Sequence, residues 1–143
     1  MERVNYKKMK KNFATPLIPV SWGELIDKIT ILKIKQTHIK SPKALTNINK
    51  ELDHLNDILE NNIGVAELIK VSNQQLLDVN KRLWQVEDDI RDKELKQEFD
   101  SGFIELARRV YVLNDERAKL KKTINEALNS ELVEEKSYKN FFK

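Results

Sequence analysis

From Leu25 to Ala127 the apolar residues return every three or four positions, the spacing that places them on one face of an α-helix. Four such stripes are present. The first holds Leu25, Ile29 and Leu32, with Trp22 and Ile26 beside them, and the second holds Leu45, Ile48, Leu52, Leu55 and Leu59. Ile69, Ser72, Leu76, Val79, Leu83, Val86 and Ile90 form the third. The fourth reads Phe103, Leu106, Val110, Leu113, Arg117, Leu120, Ile124 and Ala127.

Punctuation between the stripes sets the boundaries. Pro16 and Pro19 keep residues 13 to 20 extended, and Ser21 followed by Glu24 makes a capping box that opens a helix running to about His38. Ser41 and Pro42 are the N-cap and first position of a second helix, stopped by Asn61, Asn62 and Gly64. A third helix begins at Val65 or Ala66 and ends between Arg91 and Asp100, and a fourth runs from Asp100 or Ser101 to about Leu128, with Asn129 and Ser130 as its stop. The last stretch, ELVEEKSYKNFFK, lacks periodicity, and its Tyr138, Phe141 and Phe142 are candidates to fold back on the bundle. Short connections near residues 39 to 41 and 61 to 65 make sequential helices antiparallel neighbours. The expectation is an all-α, antiparallel bundle of four main helices: a flexible basic segment over residues 1–20, then a single domain over residues 21–143.

Composition agrees with this reading and narrows it. Charged residues make up 34% of the chain and Gly and Pro number three each, which favours helix over a turn-rich sheet. Without cysteine there is no disulfide framework or thiolate metal site, and His38 and His54 are too few for a histidine-rich one. Charge interrupts every apolar stretch, so no membrane span is expected and a cytoplasmic location follows. The net charge of +3 is unevenly placed: residues 1 to 12 hold five basic side chains against Glu2, so the remainder of the chain carries a net −1. The basic excess is therefore a tail, expected to be solvated and disordered rather than a nucleic-acid surface.

Arg117 breaks the fourth stripe at its centre. A guanidinium does not shed its charge and is costly to bury unpaired, so it needs a carboxylate from a neighbouring helix or an anionic ligand. On the third helix Asn80, Trp84, Glu87 and Arg91 share one edge of the stripe, which makes Glu87 or Asp88 the expected partner for Arg117. If instead Arg117 serves a ligand, Arg108, Asn114 and Arg117 receive a small anionic group, with Lys28, Asn80, Glu87, Tyr111 and Tyr138 completing the pocket.

The enzymatic alternative uses carboxylates. Glu24 and Asp27 lie three residues apart on one helix face, the spacing that all-α nucleotide pyrophosphatases use to hold magnesium. With Glu87 and Asp88 they form a candidate metal set for phosphate-ester or nucleotide hydrolysis with Mg or Mn. A second Glu-x-x-Asp is missing, because Glu51 is followed three residues on by His54. Gly23, Gly64 and Gly102 are isolated, which excludes a glycine-rich phosphate loop, and two histidines make no catalytic triad.

The strings PVSWGELIDKITILKIKQ, VNKRLWQVEDDIR, FDSGFIELARRVYVLNDERAKLKKTIN and EEKSY resemble a small family of bacterial and phage proteins known only as a domain of unknown function. The likeness runs from Pro19 to Tyr138. It implies no activity, but it implies that the polar positions matter together: Glu24, Asp27 and Lys28; Asn80, Trp84, Glu87 and Asp88; Arg108, Tyr111, Asn114, Asp115 and Arg117; and Lys136, Ser137 and Tyr138. The functional expectation is a binding or assembly module for a small anionic ligand or a protein partner, without a cofactor. A homodimer is expected from the leucine stripe of the second helix and the length of the fourth.

Overall fold

The computed structural model describes residues 12–141; the basic residues 1–11 and Phe142, for which a disordered tail and a folded-back aromatic are expected, lie outside them. It is all-α: α1 spans Trp22–His38, α2 Pro42–Asn61, α3 Val65–Leu68, α4 Lys70–Leu95 and α5 Ser101–Ala127. No strand occurs among the described residues, and residues 12–20 precede α1 without regular structure.

The helices start where the sequence places them, although the Ser21–Glu24 capping box is half formed, its Glu24 side chain reaching Lys121 instead of the Ser21 N–H. Ser21 accepts from the Glu24 N–H, Ser41 from the Ala44 N–H and Asp100 from the Phe103 N–H, each satisfying a donor that has no partner within its own helix. The expected third helix is divided. Gly64, at φ 92°, starts the single turn of α3, and the chain bends at Ile69 before α4 begins. The bend carries Ile69 fully into the core while Leu68 and Val71 stay outside. From there the predicted stripe holds, with Ser72, Leu76, Val79, Leu83 and Val86 buried along α4.

Residue pairings give the directions. The contacts Gln36–Asn49, Arg82–Glu116 and Asp27–Arg117 set α1 against α2, α4 against α5 and α1 against α5 as antiparallel pairs when read with Glu24–Lys121 and the two short connections. α1 contacts α2, α4 and α5, and α2 lies along α1. This position explains why α1 buries more than a stripe. Leu25, Ile29 and Leu32 are buried as expected, but so are Gly23, Asp27 and Thr30, which lie off that stripe. One core joins α1 and α2 to Ile69, Leu76 and Ile124, and a second zips α4 to α5 through Val79, Leu83, Val86 and Leu113.

The leucine stripe of α2 is used within the chain: Ile48 and Leu52 enter the first core, with Leu55 and Leu59 packed against it. None of the helices among the described residues is long and apolar enough to cross a membrane.

Candidate functional site: a buried ion-pair network and two adjoining clefts

Asp27 is the centre of the polar core. It sits one turn inside α1, is 1% exposed, and receives Arg117 from α5 by both carboxylate oxygens, Nε to Oδ1 at 2.9 Å and Nη2 to Oδ2 at 2.5 Å. Asn80 of α4 donates to the same Oδ1 at 2.9 Å and to the Thr30 hydroxyl at 2.8 Å, and that hydroxyl in turn donates to the Asp27 carbonyl. Three helices thus meet on one carboxylate. The expected partner of Arg117, Glu87 or Asp88, is replaced by Asp27, because α1 packs between the α4–α5 hairpin and α2 and turns its Asp27 face inward. Glu87 instead lies 3.4 Å from Arg91, one turn along its own helix. The hydrogen bonds that Arg117 donates to Asp27 come first among the causes that raise the Arg117 pKa above its ordinary value.

Next to this pair, one turn along both helices, Lys121 has a side chain only 9% exposed and bridges Glu24 at 2.7 Å and Glu134 at 2.6 Å. Burial disfavours its charge, but the hydrogen bonds that it donates to Glu134 and Glu24, with the nearby Asp27 charge, outweigh burial and raise its pKa. Glu24 therefore faces α5 and does not pair with Lys28, which is exposed. Below Lys121, Asn125 accepts from the Gly23 N–H at 2.7 Å and Ser130 accepts from the Trp22 N–H at 3.3 Å, completing the seam between α1 and α5. Lys121, Asn125 and Glu134 are absent from the residues picked out by sequence. For Lys121 and Asn125 the signal is the spacing of four from Leu113 through Arg117, a second line beside the apolar one, whereas Glu134 lies in the aperiodic C-terminal segment and has no such signal.

The Lys121 bridge holds down the C-terminal segment and gives it a pH dependence. Glu134 is held below its ordinary value of 4.5 by the hydrogen bond from Lys121. A depressed carboxylate stabilises the fold above that ordinary value and loses its contribution as pH falls through the lowered one. Glu134→Gln is expected to flatten the acid limb of a plot of stability against pH below about 4.5. Denaturant melts between pH 2 and 7 check this, and an unchanged acid limb would remove Glu134 from the account.

Two clefts flank Asn114. The first, of about 430 Å³, lies between α1, α4 and α5, with Ile31, Ile34 and Leu83 as apolar wall and Asn80, Trp84, Glu87, Asp88, Arg91, Asn114 and Arg117 as the rest of its lining. Trp84 is stacked at a tilt on His38, with ring centroids 4.9 Å apart, and its indole N–H is buried without a hydrogen-bond partner. The second, of about 570 Å³, is closed by the C-terminal segment and lined by Tyr111, Asn114, Asp115, Lys136, Tyr138, Lys139 and Phe141. The Tyr111 ring meets Phe141 edge-on at 4.9 Å, and Lys136 Nζ lies 5.8 Å from the centre of the Tyr138 ring.

The expected ligand residues are thus divided. Asn80, Glu87, Asn114 and Arg117 line the first cleft, while Tyr111, Asn114 and Tyr138 line the second. Lys28 and Arg108 are exposed and line neither. Of the metal set, Glu24 is taken by Lys121 and Asp27 by Arg117, and among the described residues no group of three or more His, Asp or Glu is arranged to hold a metal ion. Lys139 is a cleft residue that the sequence leaves unmarked, because it sits in a segment without periodicity.

No curated protein and no solved structure matches the chain. A family model does, over residues 17–142, which include all five helices and the segment that closes the second cleft. By that match the chain belongs to the family of unknown function DUF6165.

Proposed function

We propose that this protein is a binding module for a small anionic molecule, and that the acidic group is received in the second cleft. The observation that carries the reading is the contrast between its cations. The Arg117 charge is matched by Asp27, whereas Lys136 and Lys139 line a concave surface with no ion-pair partner among the described residues. Asp115 is the only carboxylate on that wall, so the lining carries a net single positive charge. The hydroxyls of Tyr111 and Tyr138 and the carboxamide of Asn114 add neutral donors suited to a phosphate or carboxylate oxygen. Arg117, expected from sequence to be the anion's anchor, becomes in this reading the group that fixes Asn114, whose Oδ1 lies 3.5 Å from Nη1.

Inorganic phosphate is the simplest probe. Its addition is expected to raise the melting temperature above that in chloride at equal ionic strength, because a ligand of the native state stabilises by mass action. The paired change Lys136→Gln and Lys139→Gln is expected to abolish that difference, as is high salt, which screens a partly exposed site. Equal melting in phosphate and chloride would overturn the proposal.

A further inference from the structure

We propose that two copies of this chain associate by exchanging their N-terminal arms. The apolar segment over residues 12–20 of each copy lies on the corner between α2 and α4 of the other, over residues 58–71. This goes beyond the anion reading, and none of the side chains it uses lines either cleft.

The observation that carries it is a pair of apolar surfaces left open at the same end of the bundle. Trp22, which follows the arm, and Leu59 and Val65, which belong to the corner, pack against one core, so arm and corner leave the bundle at one level. They do not cover each other. Phe13 is 87% exposed, Leu17 93% and Ile63 99%, and Ile18, Ile58, Leu68 and Val71 are exposed as well. These seven side chains, each with roughly 150–200 Å² of surface when fully open, hold on the order of 1,000 Å² per chain, against about 800 Å² that each partner gives a stable interface. The area is sufficient for a dimer. Pro16 and Pro19 hold the arm in extended backbone, which reduces the entropy lost when it docks.

Charge decides which surface covers which. Residues 51–71 hold Glu51, Asp53, Asp57, Glu60 and Glu67 against Lys70, a net −4 with His54 neutral, and all six charged side chains are exposed. None of the five carboxylates has an ion-pair partner among the described residues. Residues 1–12 hold Arg3, Lys7, Lys8, Lys10 and Lys11 against Glu2, a net +4. Corner on corner or arm on arm opposes like charges, whereas arm on corner brings opposite ones together. A twofold axis makes that contact twice and closes the assembly at two copies.

Light scattering of the full chain at rising concentration tests this. The mass is expected to move from 16.8 kDa toward twice that value. Leu17→Asp and Ile63→Asp, at open positions where a single chain loses no packing, are each expected to weaken association about a hundredfold, because a twofold interface meets every change twice. Unchanged helical circular dichroism of both variants shows that the loss is one of association. Glu60→Lys with Glu67→Lys is expected to weaken association about tenfold at low salt and little at high salt. Mixing the Leu17→Asp chain with the Ile63→Asp chain restores one sound arm on one sound corner, so the mixture is expected to associate more tightly than either variant alone. A mass of 16.8 kDa at every concentration overturns the exchange, and a melting temperature then lowered by Leu17→Asp places the arm on its own chain instead. A dimer indifferent to Leu17→Asp or to the charge reversal also overturns it, as does a mixture no tighter than its components. The phosphate-dependent rise in melting temperature is unaffected by these variants, so the anion reading stands or falls separately.

Discussion

Arg117→Leu is expected to lower stability by about 3 kcal/mol, the lower end of the range for breaking a buried ion pair, because it strands the Asp27 carboxylate. That carboxylate is 1% exposed, and its remaining neighbours are the Asn80 amide and Lys121 Nζ, the latter 3.9 Å away and already bridging Glu24 and Glu134. Arg117 itself has a side chain 29% exposed, so its own desolvation is incomplete, which places the loss at the lower end. The corresponding fall in melting temperature is roughly 10 °C for a chain of this size. Replacing both partners, Asp27→Leu with Arg117→Leu, is expected to recover much of the loss. The double variant buries no unmatched charge, and Asn80 keeps the Thr30 hydroxyl as acceptor. Urea melts of the two single variants and the double variant measure the coupling. A single Arg117→Leu variant within about 0.5 kcal/mol of the parent, the range of an ordinary surface change, would show that the pair does not hold α1 to α5.

Gly23→Ala is expected to cost about 2 kcal/mol, although alanine is the better helix former by about 1 kcal/mol. A Cβ at this position lies 2.5 Å from the Lys121 carbonyl oxygen and 3.0 Å from its carbon, so the obstacle is the backbone of α5 and cannot rotate away. Relief requires α1 and α5 to separate at the level where Gly23 N–H reaches Asn125 and Glu24 reaches Lys121, which strains both contacts along with the steric cost. The predicted sign is opposite to that of a glycine removed from an open helix face. Equal or higher stability of Gly23→Ala in denaturant melts would refute the close packing of α1 on α5.

Local chemistry made most of the architecture readable. Caps at Ser21, Ser41 and Asp100, Pro42 at a first position and the stops near Asn62 and Asn129 each act within a few residues, so the helix ends follow from the chain alone. The 3-4 spacing then assigned the apolar faces of α2 and α4 correctly. The bend at Ile69 was not legible, because 3-4 spacing continues through it and only the demand to bury Ile69 separates α3 from α4.

The sequence by itself determined that Arg117 must be paired, since a guanidinium on an apolar stripe has no other stable environment. Only the tertiary structure decided with what. The wheel of α1 placed Asp27 on a polar face, and a polar face is ordinarily solvated; here α4 and α5 cover it, so Asp27 and Lys121 become interior residues. Helical periodicity reports which residues share a face and says nothing about how many neighbours a helix has, and α1 has three. The same limit applied to the candidate site. Tyr111 and Tyr138 were separately marked, but their meeting with Lys136 and Lys139 depends on an aperiodic segment held by Glu134 on Lys121 and by Phe141 on Tyr111, contacts between residues whose sequence separations carry no repeat.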